Sequence, residues 1–168
     1  MASLHILLFD VGGTRCALRR NDVRELLPLP HLWRPPSLPK PLAGFFNLGG
    51  TAVSVVRMDV LFGLESQKAG TDNGLYRHLI LVDGVTEGRP MAFLVDRVVD
   101  LALVDGRLVS PVREAGTLNG CVQGEIDIDG QLVHLLSVDR VLFAEEQQAL
   151  STLTQTAQSR LSEWTVSA

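Results

Sequence analysis

Fifteen glycines punctuate this 168-residue chain and cut its apolar residues into short runs. That punctuation limits the fold more than any other feature. Each run has the length of a strand, and glycine supplies the positive φ that tight turns require. Residues 4–10 and 14–19 flank Val11-Gly12-Gly13, which reads as a hairpin. Residues 45–48 and 52–60 bracket Gly49-Gly50 as a second, and β-branched Val53, Val55 and Val56 favour a strand there. Strand-like runs recur at 76–82, 91–96, 98–104, 121–128 and 131–138, and Asp129-Gly130 separates the last two. With residues 21–27 as a strand or a single helical turn, about ten short strands result, as small barrels or sandwiches need.

Two stretches break this pattern. Residues 28–41 hold six of the eight prolines, which remove ladder donors and fix φ, so an extended connector is expected. Residues 67–74 are polar with two glycines and form the best internal boundary. At the other end, residues 144–164 contain neither glycine nor proline. Leu150, Leu153, Ala157, Leu161 and Trp164 form one stripe of an amphipathic helix, with Glu145 and Glu146 where negative charge suits its dipole.

With 46% hydrophobic residues the chain can bury a core, which excludes disorder as its main state. No apolar run approaches the roughly 18 residues of a membrane span. Nothing at the N-terminus reads as a secretory signal, so a cytoplasmic protein without direct membrane insertion is expected. A net charge of −4 and 5% aromatics leave neither an electrostatic footprint nor a stacking surface for nucleic acid.

Catalytic chemistry finds little support. Asp10-Val11-Gly12-Gly13-Thr14 resembles the phosphate-binding turn of the sugar kinase and actin-like ATPase superfamily, where backbone amides cradle phosphate. That fold needs two lobes, and no second phosphate motif accompanies this one. His5, His31, His78 and His134 are dispersed, Cys16 and Cys121 sit alone in apolar runs, and no Gly-x-Ser-x-Gly elbow occurs. No enzyme, cofactor or metal site is expected, and the cysteines read as small hydrophobes.

A family resemblance points to a binding module instead. Val23-Arg24-Glu25-Leu26, Leu38-Pro39, and Gly44-Phe45-Phe46-Asn47-Leu48-Gly49-Gly50 resemble, in order, segments of the CheW family of chemotaxis coupling proteins. Phe93-Leu94-Val95-Asp96-Arg97-Val98 is similar to that family's second signature strand, and Pro111, Leu118-Asn119-Gly120 and residues 132–141 fit its closing hairpin. The resemblance implies a mainly β fold of two intertwined five-stranded SH3-like barrels with a C-terminal α-helix. Residues 1–146 would form the CheW-like domain and 147–168 the helix and tail. It also implies a non-enzymatic adaptor between a methyl-accepting chemoreceptor's cytoplasmic tip and the regulatory domain of a CheA-type histidine kinase, with further contacts between homologous barrels.

The chain departs from the family pattern at two places. Gly49 stands where arginine follows the asparagine-leucine pair, removing a planar donor fork suited to interface ion pairs. Arg57 and Asp59 exchange the usual order of charges, which reverses the field toward a partner. Residues i and i+2 of a strand share a face, so the two can pair with each other. These departures suggest a coupling protein of a non-standard cluster, such as one controlling pili or gliding. The candidate interaction residues are Glu25, Phe45, Phe46, Asn47, Leu48, Gly49, Gly50, Arg57, Asp59 and Asp96. Two other readings stay open: a small phosphate- or nucleotide-binding protein built on Asp10–Thr14, and a structural protein that self-assembles through its C-terminal helix.

Overall fold

The glycine-rich dipeptides turn the chain where the sequence places them. In the computed structural model, which describes residues 3–64, 77–86, 89–111, 121–142 and 144–165, strands β1 (Ser3–Val11) and β2 (Thr14–Arg19) meet at Gly12 and Gly13, whose φ angles are +54° and +83°. Strands β4 (Leu42–Leu48) and β5 (Thr51–Arg57) meet in the same way at Gly49 and Gly50, at +60° and +94°. Positive φ at both central residues gives a two-residue turn whose twist matches its strands. The expected strand over 52–60 stops at Arg57, because Met58–Leu61 wind into a single helical turn, α1. Asp59 causes the change: its carboxylate accepts the Val60 N–H at 2.9 Å and pairs with Arg57 at 3.0 Å.

Between these hairpins lies β3 (Val23–Pro28), which settles the strand-or-turn alternative as a strand. The proline connector follows, tied down by a bridge between Trp33 and Phe45. Strands β6 (His78–Thr86), β7 (Arg89–Val95), β8 (Arg97–Asp105), the two-residue β9 (Ser110–Pro111), β10 (Val122–Ile128) and β11 (Gln131–Leu136) complete eleven strands among the described residues. Helix α2 covers Ala144–Thr165.

These strands form a five-stranded sheet, β3-β6-β7-β5-β4, and a six-stranded one, β8-β1-β2-β11-β10-β9. The expected pair of five-stranded barrels is therefore five and six, the extra member being the short β9. The barrels are intertwined as expected. The chain leaves the six-stranded sheet (the first barrel) after β2, builds all of the five-stranded sheet (the second barrel), and returns between β7 and β8. The expected boundary at 67–74 lies outside the described residues. The strands on either side of it, β5 and β6, belong to one sheet.

Burial explains why the strands are apolar runs rather than alternating ones. Successive side chains point to opposite faces, and in the central strands both faces are covered. In β1, Ile6 and Leu8 enter a core with Ala17, Ile126, Val133 and Leu135 inside the first barrel. Leu7, Phe9 and Val11 point the other way, against Phe93, Val95 and Val82 of the second sheet. In β6 and β7, Leu79, Leu81, Ala92 and Leu94 fill the second barrel, while Ile80, Met91 and Phe93 join the layer between barrels. Two barrels suggest two small cores, but a third and larger one joins them.

Phe93 is fully buried in the middle of that shared layer. Phe93→Ala should cost about 3–5 kcal/mol in urea unfolding, whereas Ile126→Val, confined to the first barrel, should cost about 0.5–1.5 kcal/mol. A Phe93→Ala loss no larger than that of Ile126→Val would show the layer to be incidental.

Candidate interaction surface

The candidate residues do not gather on one face. Glu25 is exposed on β3, at one edge of the five-stranded sheet, and the Phe45–Gly50 segment lies on β4 and the turn that follows it, at the other. Phe45 is 1% exposed and stacks obliquely on Trp33, with ring centroids 6.0 Å apart. Phe46 and Leu48 are half-buried against the second barrel's core. Asn47, Gly49 and Gly50 are exposed at the turn.

Asn47 has a local task. Its Oδ1 accepts the Gly50 N–H at 2.7 Å, and Asp127 does the same for Gly130 at 2.9 Å in the β10–β11 turn. A short polar side chain two residues before a two-residue turn satisfies the N–H of the turn's second residue, three residues on. No heavy atom comes within 4 Å of where a Cβ on Gly49 would stand. The site at which the family carries arginine is thus open to solvent.

Arg57 and Asp59 neutralise each other through two bonds, from Nε at 3.3 Å and Nη2 at 3.0 Å. Asp59 is 4% exposed. The exchanged charges therefore form a bidentate pair within the chain, although Asp59 sits on the helical turn and not on the strand.

Asp96 holds the passage between sheets. Its Oδ2 accepts the Gly12 N–H at 2.9 Å, and its own N–H donates to the Asp10 carbonyl at 2.9 Å. The Asp10 carboxylate in turn binds Arg15 and, at 3.1 Å, Arg97. The amide that would cradle a phosphate in Asp10–Thr14 is already taken by a carboxylate. A Cβ on Gly12 would lie 2.6 Å from the Leu64 Cβ, so glycine is needed for space as well as for φ. The sequence gives no signal for this junction beyond the motif that resembles a phosphate loop.

Cys16 and Cys121 form no disulfide and are buried in the layer between barrels. Burial pushes the Cys121 thiol up to about 12 and raises that of Cys16 as well, so both stay protonated at neutral pH and act as apolar filler. Among the described residues no group of three or more His, Cys, Asp or Glu could hold a metal ion. No described helix is long and apolar enough to cross a membrane.

Sequence reasoning missed two residues here. Trp33 is the lone tryptophan of the proline connector, and its place near two phenylalanines was the available clue. Gln158 of α2 accepts the Ala52 N–H at 2.9 Å and donates to the Gly50 carbonyl at 3.1 Å. Nothing in the helical pattern marked it. The stripe holds for Leu150 and Ala157, both buried, and for Leu153 and Leu161, packed beside them, but Trp164 is 84% exposed.

Two interlocked barrels around a shared apolar layer, with side-chain polarity spent on turns and crossings, define a β-barrel interaction module. Residues 5–146 match the CheW-like domain, and the chain belongs to that family. At the family level this makes it a scaffold rather than an enzyme. The chain is 26% identical over 152 residues to Chemotaxis protein CheW of Rhizobium meliloti (strain 1021), covering 86% of this chain and 90% of that one. In fold it is similar to the scaffolding protein TtCheW from Thermoanaerobacter tengcongensis, with a TM-score of 0.73 at 19% identity over 87% of this chain and 92% of that one.

Gly12 and Gly50 both have positive φ, but only Gly12 is crowded. Gly50→Ala should cost about 1 kcal/mol and Gly12→Ala clearly more, above about 2 kcal/mol, in chemical denaturation. Equal costs would mean that the Leu64 contact yields freely.

Proposed function

We propose that this protein is a cytoplasmic scaffold in bacterial chemosensory signalling. It couples the cytoplasmic tip of a methyl-accepting chemoreceptor to the regulatory domain of a CheA-type histidine kinase, in a pathway other than ordinary chemotaxis, such as one driving pili or gliding. Membership of the CheW-like family across nearly the whole chain supports the scaffold. The closed Arg57–Asp59 pair carries the specialised part. Two charges that satisfy each other at 3.0 Å offer a partner little net field, and the open Gly49 offers no donor fork. Exposed Glu25 remains as an anchor for a basic partner surface.

The phosphate-binding alternative is disfavoured because the Gly12 amide of the turn is already occupied. Asp10 and Asp96 place two carboxylates at the turn, and one of them accepts the Gly12 amide. Calorimetry with ATP and Mg²⁺ should give binding weaker than about 1 mM. Self-assembly through the helix is disfavoured because Leu150 and Ala157 are spent on the chain's own core.

Pull-down against every kinase and receptor of the same genome should recover partners from a specialised cluster. Recovery of an ordinary chemotaxis kinase alone would contradict the specialised role. With the recovered kinase, Glu25→Lys should weaken binding about tenfold or more. Gly49→Arg should raise affinity for an ordinary chemotaxis kinase by a similar factor, about 1.4 kcal/mol. Affinities unchanged by both substitutions would place the contact elsewhere.

A further inference from the structure

Strand β5 is flanked by β4 on one side and β7 on the other, but the two neighbours do not cover the same length. β4 pairs with it from Thr51 onward, whereas β7 pairs with it only from Ser54, opposite Met91. The residue of β7 before Met91 is Pro90, which has no N–H to carry the ladder further. In a two-residue hairpin the closing pair, here Leu48 and Thr51, exchanges backbone bonds between the strands. The next pair, Asn47 and Ala52, turns its polar groups outward. Ala52 is 3% exposed, and a buried N–H without a partner is costly.

Gln158 of α2 takes the place of the missing strand. Its Oε1 accepts the Ala52 N–H at 2.9 Å, and its Nε2 donates to the Gly50 carbonyl at 3.1 Å. A carboxamide carries the donor and the acceptor of a peptide unit on one plane, as an adjacent strand would. The helix presents it from a fixed place, since Ala157, next to Gln158, and Leu150 are both buried in the shared core. From the strand side, Asn47 accepts the Gly50 N–H at 2.7 Å. Gly50 is thereby held at its N–H and its C=O together, at a φ of +94°. Two adjacent glycines are the most permissive backbone a chain can have. Here side chains from β4 and α2 remove that freedom.

From this arrangement we propose that Gln158 is a positioning residue for partner recognition: it fixes the β4–β5 turn in the conformation that a partner meets. The inference rests on the reading that this turn faces a kinase regulatory domain. Gly49 and Gly50 are exposed, and the place of a Cβ on Gly49 is open. A turn already ordered leaves less to be ordered on contact, so the complex forms more tightly. The C-terminal helix thus contributes to affinity through a residue 106 positions beyond Ala52, without itself reaching the partner. It also sets the direction in which any side chain placed at Gly49 would project.

The test uses the full chain and the kinase regulatory domain recovered from the same genome, with Ile126→Val as a control that loosens only the first barrel. In the free protein, Gln158→Ala should speed exchange of the Ala52 amide about tenfold or more, with β7 amides unchanged. Its affinity for the kinase domain should fall about tenfold, whereas Ile126→Val should bind as the native protein does. The gain from Gly49→Arg toward an ordinary chemotaxis kinase should shrink in the Gln158→Ala background, because the two sites are coupled through the turn. Three results overturn this inference and leave the functional reading standing. They are an Ala52 amide as slow in Gln158→Ala as in native protein, an affinity that Ile126→Val lowers as much as Gln158→Ala, and an affinity unmoved by Gln158→Ala where Gly49→Arg is effective. A turn loosened by Gln158→Ala, with affinities indifferent to Glu25→Lys, Gly49→Arg and Gln158→Ala alike, would sink the functional reading and this inference with it.

Discussion

A strand buried on both faces has no solvent side on which to place polar groups, so it must find a second surface to cover it. β1, β5, β6 and β7 are such strands: β1 and β7 cover each other across the two barrels, and helix α2 covers β5. The layer built from Leu7, Phe9, Val11, Ile80, Met91, Phe93 and Val95 is therefore a requirement of the sequence. At about 25 cal/mol per Å² of apolar surface, two sheets left apart would expose enough Leu, Val and Phe to leave neither stable. The chain's path serves this layer. By starting in one sheet, building the other and returning, it makes each barrel depend on strands far away in sequence.

The crossings between sheets are where polarity is spent. Asp96 binds the Gly12 amide at the β7–β8 passage, and Asp10 gathers Arg15 and Arg97 beside it. Asp59 is buried but holds Arg57 and the Val60 amide. Each of these carboxylates satisfies backbone or guanidinium donors that would otherwise be stranded at a change of direction. The two barrels are thereby fixed relative to each other, which is what a scaffold needs if partners are to be held at set positions. Helix α2 is joined to this frame by Leu150 and Ala157, which enter the shared core, and by Gln158, which binds the Gly50 carbonyl and the Ala52 N–H at the β4–β5 turn.

Much of the fold was legible because its signals are local. Gly12-Gly13, Gly49-Gly50 and Asp129-Gly130 need positive φ, and any reader of turn chemistry finds the three hairpins. The helix was legible from its spacing. The shared layer was not, since periodicity cannot tell whether an apolar run is covered by one neighbour or two. Nor was the end of β5, where a single buried aspartate outweighs three β-branched residues before it. The candidate site was less legible than the fold. A resemblance marks residues as a segment without saying which way they face: Phe45 points inward beneath α2, Asn47 caps its own turn, and Arg57 and Asp59 answer each other. Glu25, Gly49 and Gly50 are the candidates left open to a partner.

Two barrels that share one core behave as one body. Native-state hydrogen exchange tests this most directly, by comparing the slowest amides of β1 in the first sheet with those of β7 in the second. The expected result is a single opening free energy for both sets, equal to the global stability and falling together as denaturant is added. Protected β7 amides in a state where β1 has already opened would contradict it, showing two barrels that merely touch.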